Sequence, residues 1–307
     1  MKLDLDDIEA ARVALPDSVV LTPVLHGPLG IWCKCENLQR TGAYKIRAAY
    51  TALQRLTAEQ RRAGVALSSS GNFARAMATA ARDLELQATL VMMESTDPYK
   101  VEWTRSMGGR IVFCEDRYEA RYETLAELAQ QGLTVIDHRD HPDVIAGHAT
   151  IGLELLDQCP RMTEVVIPAS TGGLLAGVAL AVKSLRPDVK VYGVQPSGSR
   201  ACVESFRLGQ MVCVQTDTIC DALTASSPGR LPFELMQRWV DDVIEVSEEA
   251  VRLAVKTFAT EAKLVVEPGG AVGLAALLER RLPTRPGTVL LVSGGNISPE
   301  RLAEILA

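Results

Sequence analysis

Short apolar runs alternate with stretches of helical periodicity from about residue 60 to the end of the chain. Runs with the length and composition of strands are Val65–Ser68, Ala88–Met93, Arg110–Cys114, Leu133–Ile136, Glu164–Pro168, Lys190–Val194, Asp242–Val246 and Thr288–Val292. The periodicity predicts helices near 73–82, 99–107, 117–131, 145–157 and 173–185. Repeated strand-then-helix order predicts an α/β fold with parallel sheets covered by helices.

The bulk composition is that of a globular protein. The 307 residues are enough for one large or two ordinary domains, and 47% are hydrophobic and 23% charged. The net charge of −6, without a long run of like charge, argues against a nucleic-acid partner. No apolar run reaches the length of a membrane span, so we expect no membrane partner either.

The cysteines indicate a reducing compartment. All seven lack the Cys-x-x-Cys spacing of metal or redox pairs, and an odd number is typical of unpaired thiols. The first residues lack the basic and then apolar pattern of a secretory signal. We therefore expect a cytoplasmic protein.

Lys45 follows a Thr-Gly turn and opens an apolar helix, where a lysine is usually a solvated surface residue. Three turns rich in Gly, Ser and Thr, at 68–72, 170–173 and 293–296, make a chemical role more credible. Ligands of parallel sheets collect at such turns, and helix N-termini bind anions. None of the turns matches a P-loop or the dinucleotide fingerprint. A lysine amine, a phosphate cradle and a partner for a ring nitrogen together indicate pyridoxal phosphate.

The chain resembles the fold-type II pyridoxal-phosphate enzymes, in particular serine/threonine dehydratases and serine racemase. The matching segments, in family order, are Lys34–Glu36, Thr41–Arg47, Ser69–Asn72, Ile145–Gly147, Ser170–Gly177, Glu267–Ala271 and Ser293–Asn296. The resemblance implies a tryptophan synthase β-like fold, in which two open, mostly parallel twisted sheets flanked by helices hold the cofactor in the interdomain cleft. It also implies a large domain of residues 1–47 plus 147–307 and a small domain of residues 48–146.

The resemblance further implies roles for individual residues. Lys45 would bind the cofactor covalently and then serve as the base for the α-proton. The other cofactor-binding residues would be Tyr44, Asn72, Ser170, Thr171, Gly172, Gly173, Leu174, Glu267 and Ser293. The substrate would be held by Ser69, Ser70, Gly71, Asn72 and Phe73. Asn72 would bond the phenolic oxygen of the cofactor and Ser293 would face its ring nitrogen; Asn72 could instead simply cap the following helix, a role that is compatible with the cofactor contact.

Several positions depart from the family pattern. Phe73 replaces a frequent histidine, which removes a polar contact near the substrate. Arg139 lies in a loop that borders the substrate, where it either selects an anionic side chain or is a solvated surface residue. The acidic ligands of the family's divalent cation fall on Gln195 and Ala201, so we expect no metal site.

Other expectations concern secondary positions. His138, His141 and His148 are predicted to lie on surfaces or at helix ends, and Glu36 is predicted to be a salt-bridge partner at a strand end. The loose segment 197–232 is either an active-site flap or a plain connection.

The expected reaction is β-elimination of a β-hydroxy amino acid, such as serine, threonine or hydroxyaspartate, to a 2-oxo acid and ammonia. Racemisation by Lys45 and Ser70 on opposite faces of the substrate is an alternative, and so is β-replacement of the cysteine synthase type, which the Ser-Thr-Gly-Gly turn favours. A non-catalytic amino-acid-binding relative is a third possibility. The resemblance also implies a homodimer.

Overall fold

The computed structural model describes residues 3–117 and 119–307. The strands of these residues are β1 (Val24–His26), β2 (Trp32–Cys35), β3 (Val65–Ser68), β4 (Ala88–Met93), β5 (Arg110–Cys114), β6 (Thr134–Val135), β7 (Glu164–Pro168), β8 (Lys190–Pro196), β9 (Asp242–Val246) and β10 (Thr288–Val292). The helices are α1 (Leu5–Ala14), α2 (Lys45–Gln54), α3 (Ala58–Ala63), α4 (Asn72–Asp83), α5 (Pro98–Ser106), α6 (Ala120–Gln130), α7 (Pro142–Gln158), α8 (Gly173–Leu185), α9 (Ala201–Leu208), α10 (Arg230–Trp239), α11 (Glu248–Thr257), α12 (Pro268–Leu278) and α13 (Pro299–Leu306). The predicted strands and helices are confirmed to within a few residues at each end.

The strands form two sheets in the described part of the chain. One has the order β1-β2-β10-β7-β8-β9, and it is parallel except for the β1–β2 pair. The other has the order β5-β4-β3-β6 and is parallel throughout. The expected architecture of two open, mostly parallel sheets is therefore confirmed.

Burial on both faces explains why the central strands are continuous apolar runs. Every residue of β7 and β10 is buried, as is usual where helices cover both sides of a parallel sheet. The polar residues of these two strands, Glu164 and Thr288, form a hydrogen bond with each other, in which the Thr288 hydroxyl donates to Glu164 Oε1 at 2.5 Å.

Close packing of α2, α7 and α8 places the start of α2. A Cβ atom at Gly147 of α7 would lie 2.6 Å from Ala48 Cα, and one at Gly177 of α8 would lie 2.8 Å from the Ile145 carbonyl oxygen. Glycine at both positions lets the three helix backbones approach each other. The expected domain boundaries, after residues 47 and 146, fall inside the continuous helices α2 and α7, and the division into two domains stays a prediction.

A buried cluster of four charges lies beneath the first turn of α2. The Arg47 guanidinium donates to Glu36 at 2.8 and 2.9 Å and to Glu154 at 2.6 and 2.9 Å. Lys34 Nζ lies 2.6 Å from Glu154 Oε2. The prediction that Glu36 is a salt-bridge partner is confirmed, and the cluster ties β2, α2 and α7 together.

The segment 197–232 has more regular structure than the sequence indicated. It contains α9 and a short 3-10 turn at Asp221–Leu223, and α10 begins at Arg230. None of the helices in the described residues combines the length and apolar character that a membrane span requires.

Candidate active site

A cavity of about 470 Å³ lies at the carboxyl ends of β3, β6, β7 and β10. It brings together every residue proposed for the site, namely Tyr44, Lys45, Ser69, Ser70, Gly71, Asn72, Phe73, Arg139, Ser170, Thr171, Gly172, Gly173, Leu174, Glu267 and Ser293. The sequence analysis missed other lining residues: Arg121, Tyr122, Asp137, His138 and residues 221–225. The last of these belong to the loose segment, so part of that segment borders the cavity.

Lys45 is the first residue of α2 and its amine faces the cavity. The Nζ atom lies 4.7 Å from the centre of the Tyr44 ring and 5.7 Å from that of Phe73. It makes no hydrogen bond or ion pair with the described residues. Burial lowers the pKa of Lys45 to about 8, although the Glu267 carboxylate opposes this shift. The site therefore holds an amine that loses its proton easily, as a nucleophile or base requires.

The turn after β10 fixes the backbone next to Lys45. Tyr44 N–H donates to the Ser293 carbonyl oxygen at 3.1 Å, and Ala43 pairs with Gly294 in an isolated antiparallel bridge. The turn leads from β10 towards α13, which begins at Pro299. Residues 293–296 run alongside the segment that carries Lys45.

The turn between β7 and α8 has the geometry of an anion cradle. Gly172 has a φ of +90°, which favours glycine, and it precedes the first turn of α8. Within the described residues, the backbone N–H groups of residues 170–174 make no hydrogen bond to any group outside α8. The Cys202 thiol donates to the Ser170 carbonyl oxygen at 3.0 Å and holds the turn. Free N–H groups at a helix start fit a phosphate.

Asn72 faces the cavity and does not cap its helix. The residue before α4 is Gly71, and the helix start has no side-chain cap. Asn72 Nδ2 donates to Glu267 Oε1 at 2.8 Å, and Asn72 Oδ1 accepts from Asn296 Nδ2 at 2.7 Å. The capping alternative was therefore wrong, because the amide is committed to side chains of two distant segments.

Glu267 is a buried carboxyl group at the edge of the cavity. Burial raises the pKa of Glu267 to about 8, with a further contribution from Asp221 and an opposing one from the Asn72 hydrogen bond. Gly294 lies so close that a Cβ atom there would be 2.2 Å from Glu267 Oε1. The carboxyl group is thus confined between the Asn72 amide and the backbone of the turn after β10.

The loop after β6 places His138 and Arg139 in the cavity wall. The His138 ring stacks on Phe73 with ring centres 4.9 Å apart and an interplanar angle of 27°. Burial, together with the charges of Lys45, Arg139 and Arg121, lowers the pKa of His138 to about 3. His138 was expected at a surface or a helix end; it is half-buried in a loop and lines the cavity. His138 follows the carboxyl end of the parallel strand β6, and this position could have identified it as a residue of the site.

His148 was also expected at a surface or helix end, and this was wrong. It lies within α7 and only 2% of it is exposed, because its ring packs against Tyr44 with centres 4.7 Å apart.

Arg139 is half-buried. Its guanidinium donates to Tyr122 Oη and to Ser227 Oγ, both at 3.0 Å. These bonds join the loop after β6 to α6 and to the segment before α10.

The position where the resemblance would place a cation carries backbone contacts instead. Gln195 Oε1 accepts hydrogen bonds from the N–H groups of Cys202 and Val203, at 2.8 and 3.1 Å. In the described residues no three His, Cys, Asp or Glu side chains are grouped as metal ligands. The absence of a metal site stays a prediction.

The sequence profile described as "Pyridoxal-phosphate dependent enzyme" matches residues 17–295. The chain belongs to this family. An L-threonine ammonia-lyase of Thermotoga maritima is 37% identical over 297 residues, which are 96% of this chain and 74% of that protein. An L-threo-3-hydroxyaspartate ammonia-lyase of a Pseudomonas species is 39% identical over 279 residues, 90% of this chain and 88% of that protein. The structure of maize serine racemase is 32% identical in sequence and superposes with a TM-score of 0.94. The match covers 99% of this chain and 97% of the maize chain.

The cavity fits the cofactor of this family. Among the described residues, the Lys45 amine has no hydrogen-bond or ion-pair partner and the helix N–H groups at 170–174 are free, so the groups that an aldehyde and a phosphate need face the same space.

Proposed function

We propose that this protein is an ammonia-lyase that removes water from a β-hydroxy amino acid and yields a 2-oxo acid and ammonia. The observation that carries the proposal is the Lys45 amine, which has a lowered pKa and no described partner and faces two glycine-rich turns. The names of the similar ammonia-lyases, which act on threonine and hydroxyaspartate, support the same reaction type.

The residues that would hold pyridoxal phosphate follow from their positions around the cavity. The 170–174 turn would bind the phosphate, Asn72 and Tyr44 would contact the ring, and Ser293 would face the ring nitrogen. When bound, the cofactor supplies an aldehyde for an amine and a ring that withdraws electrons from the substrate Cα.

The protein's own part in the reaction is binding and proton transfer. The N–H groups of 69–73 would bind the substrate carboxylate at the start of α4. Lys45 Nζ, once released from the cofactor, would take the α-proton, which its lowered pKa favours at neutral pH. The Glu267 carboxyl, whose pKa is raised, would hold a proton beside the Asn72 amide.

The substrate side chain would point towards the loop after β6. Arg139 and Arg121 both line this part of the cavity, which favours an anionic group on the side chain. We therefore include 3-hydroxyaspartate among the substrates, beside serine and threonine. Greater turnover of 3-hydroxyaspartate than of L-serine would support this assignment.

Racemisation is the second candidate. Ser70 lines the same cavity as Lys45, and maize serine racemase is a close structural neighbour. A hydroxyl on the opposite face of the substrate could return a proton to Cα. The reaction product therefore distinguishes the candidate reactions. A 2-oxo acid indicates elimination, an inverted amino acid indicates racemisation, and a thiol adduct indicates β-replacement.

A substrate screen tests the proposal. Protein reconstituted with pyridoxal phosphate is incubated with L-serine, L-threonine or L-threo-3-hydroxyaspartate, and ammonia and 2-oxo acid are measured. We expect release of both, and Lys45→Ala should lose the visible absorbance and at least about a thousandfold in kcat. Lys183→Ala, a lysine on α8 paired with Asp241, is the matched control and should retain both properties. A colourless wild-type protein would refute the proposal, and a coloured protein without turnover would indicate an amino-acid-binding relative.

We also propose that the protein is a homodimer, that it lies in the cytoplasm and that it has the two domains expected from the sequence. Seven unpaired cysteines support a cytoplasmic location. Exposed apolar side chains at Leu21, Leu25, Leu29 and Leu38, around the β1–β2 edge, support a homodimer. The four-stranded sheet lies wholly within 48–146, which supports that segment as the small domain.

A further inference from the structure

His138 occupies a position in the cavity wall that packing alone does not explain. One face of its ring lies on Phe73, and the Phe73 ring also lies 5.7 Å from Lys45 Nζ. The histidine and the lysine amine therefore flank the same aromatic ring and line the same cavity. Neither nitrogen of His138 makes a hydrogen bond with the described residues, and the residue lines the cavity.

The charges around His138 fix its protonation. Lys45, Arg139 and Arg121 are the cations that act on it, and burial adds to their effect. The ring is therefore a neutral imidazole, with one N–H donor and one acceptor nitrogen. A neutral donor can hydrogen-bond an oxygen without adding a charge to a cavity that already holds several cations.

We propose that His138 is a specificity-determining residue whose imidazole N–H donates a hydrogen bond to the oxygen on the substrate Cβ. The inference rests on the proposed function and names the residue that recognises the group to be eliminated. The bond would strengthen as the Cβ–O bond breaks and negative charge develops on the oxygen, while the imidazole keeps its proton. Phe73 supplies no donor, so the polar contact comes from the loop after β6.

A pair of ligands that differ only by the β-oxygen tests this role in the cofactor-loaded protein. L-serine has this oxygen and can eliminate, whereas L-alanine lacks it and cannot eliminate. The variant His138→Phe keeps an aromatic ring against Phe73 and removes the donor. We expect its kcat for L-serine to fall about a hundredfold, as for the loss of one donor to a developing oxyanion. Its Kd for L-alanine, followed by the change in visible absorbance, should stay within about twofold of the wild-type value.

Two further variants separate a hydrogen bond from a packing role. His138→Asn restores a donor but not the ring, and it should recover part of the lost kcat. Phe73→His in the His138→Phe background returns an imidazole to the stacked pair and should also recover part of it.

The outcomes are distinct. Wild-type kcat in His138→Phe, or an equal loss of L-alanine affinity, would overturn this inference alone. A wild-type enzyme that releases no 2-oxo acid from L-serine would overturn the proposed function and this inference with it.

Discussion

Two ionisable side chains that line the cavity have pKa values displaced towards each other. The pKa of Lys45 is lowered to about 8 and that of Glu267 is raised to about 8, in each case mainly by burial. Near neutral pH the carboxyl group therefore keeps its proton while the amine is close to losing its own. Proton transfer to and from a substrate needs groups in this condition.

Glu267 gives a pH-dependent stability in the cofactor-free protein. Because its pKa is higher in the folded than in the unfolded state, stability is fully present below about pH 4.5 and declines as the pH rises towards 8. Glu267→Gln has no such titration, so the wild type should lose on the order of 2–4 kcal/mol relative to the variant between pH 4.5 and 7.5. Urea unfolding at the two pH values measures this difference. Parallel pH profiles of the two proteins would contradict the assignment.

The sequence identified the residues that line the candidate site but not the side chains that they contact. Lys45 and the three turns were recognisable because local residue types and spacing define them. The contact of His138 with Phe73 joins the loop after β6 to the start of α4, 65 residues away, and the Asn72–Glu267 hydrogen bond joins segments still further apart. Such pairings depend on the order of strands in the sheets, which local patterns do not determine.

At the scale of the elements, the α2–α7 contact positions Lys45. The sequence predicted α7 in part from its periodicity and α2 as the apolar helix that Lys45 opens, but it did not predict their contact, since a glycine inside a helix has several explanations. The structure gives the reason for Gly147: the backbone of Ala48 leaves no space for a side chain.

Gly147→Ala should therefore destabilise the protein. The added Cβ atom would meet the α2 backbone at 2.6 Å, and such overpacking typically costs about 1–3 kcal/mol. Gly273→Ala is the matched control, because this glycine also lies inside a helix and its nearest neighbour would be the Leu290 side chain at 3.5 Å. We expect the control to be neutral or slightly stabilising. Equal melting temperatures for the two variants would show that α7 moves to accept the methyl group.

At the scale of the whole molecule, the buried charge cluster joins the large sheet to the helices of the active site. Lys34 belongs to β2, Glu36 follows its last residue, Arg47 belongs to α2 and Glu154 to α7. The side chains of Lys34, Glu36 and Arg47 have no exposed surface, and each charge has opposite charges as neighbours. Such a cluster is stable only while it is complete.

Removal of one member should affect the fold more than removal of a surface charge. Arg47→Met leaves two carboxylates facing one lysine, and we expect a loss of about 3–5 kcal/mol in the free energy of unfolding. The exposed pair Arg200–Glu204 provides the control, because Arg200→Met should change stability by less than about 1 kcal/mol. Denaturant unfolding compares the two, and similar losses would mean that the cluster relaxes or admits water.

The course of α2 and α7 through both expected domain boundaries limits how modular this protein is. A chimera made by exchanging residues 48–146 with a relative would splice each helix within its first two turns, with Arg47 on one side of a junction and Ala48 on the other. The grafted piece would bring a foreign residue 48 against the host's Gly147 and none of the four charges of the buried cluster. Recombination points placed in the turns before α2 and after α7 would transfer both helices intact, together with Lys45.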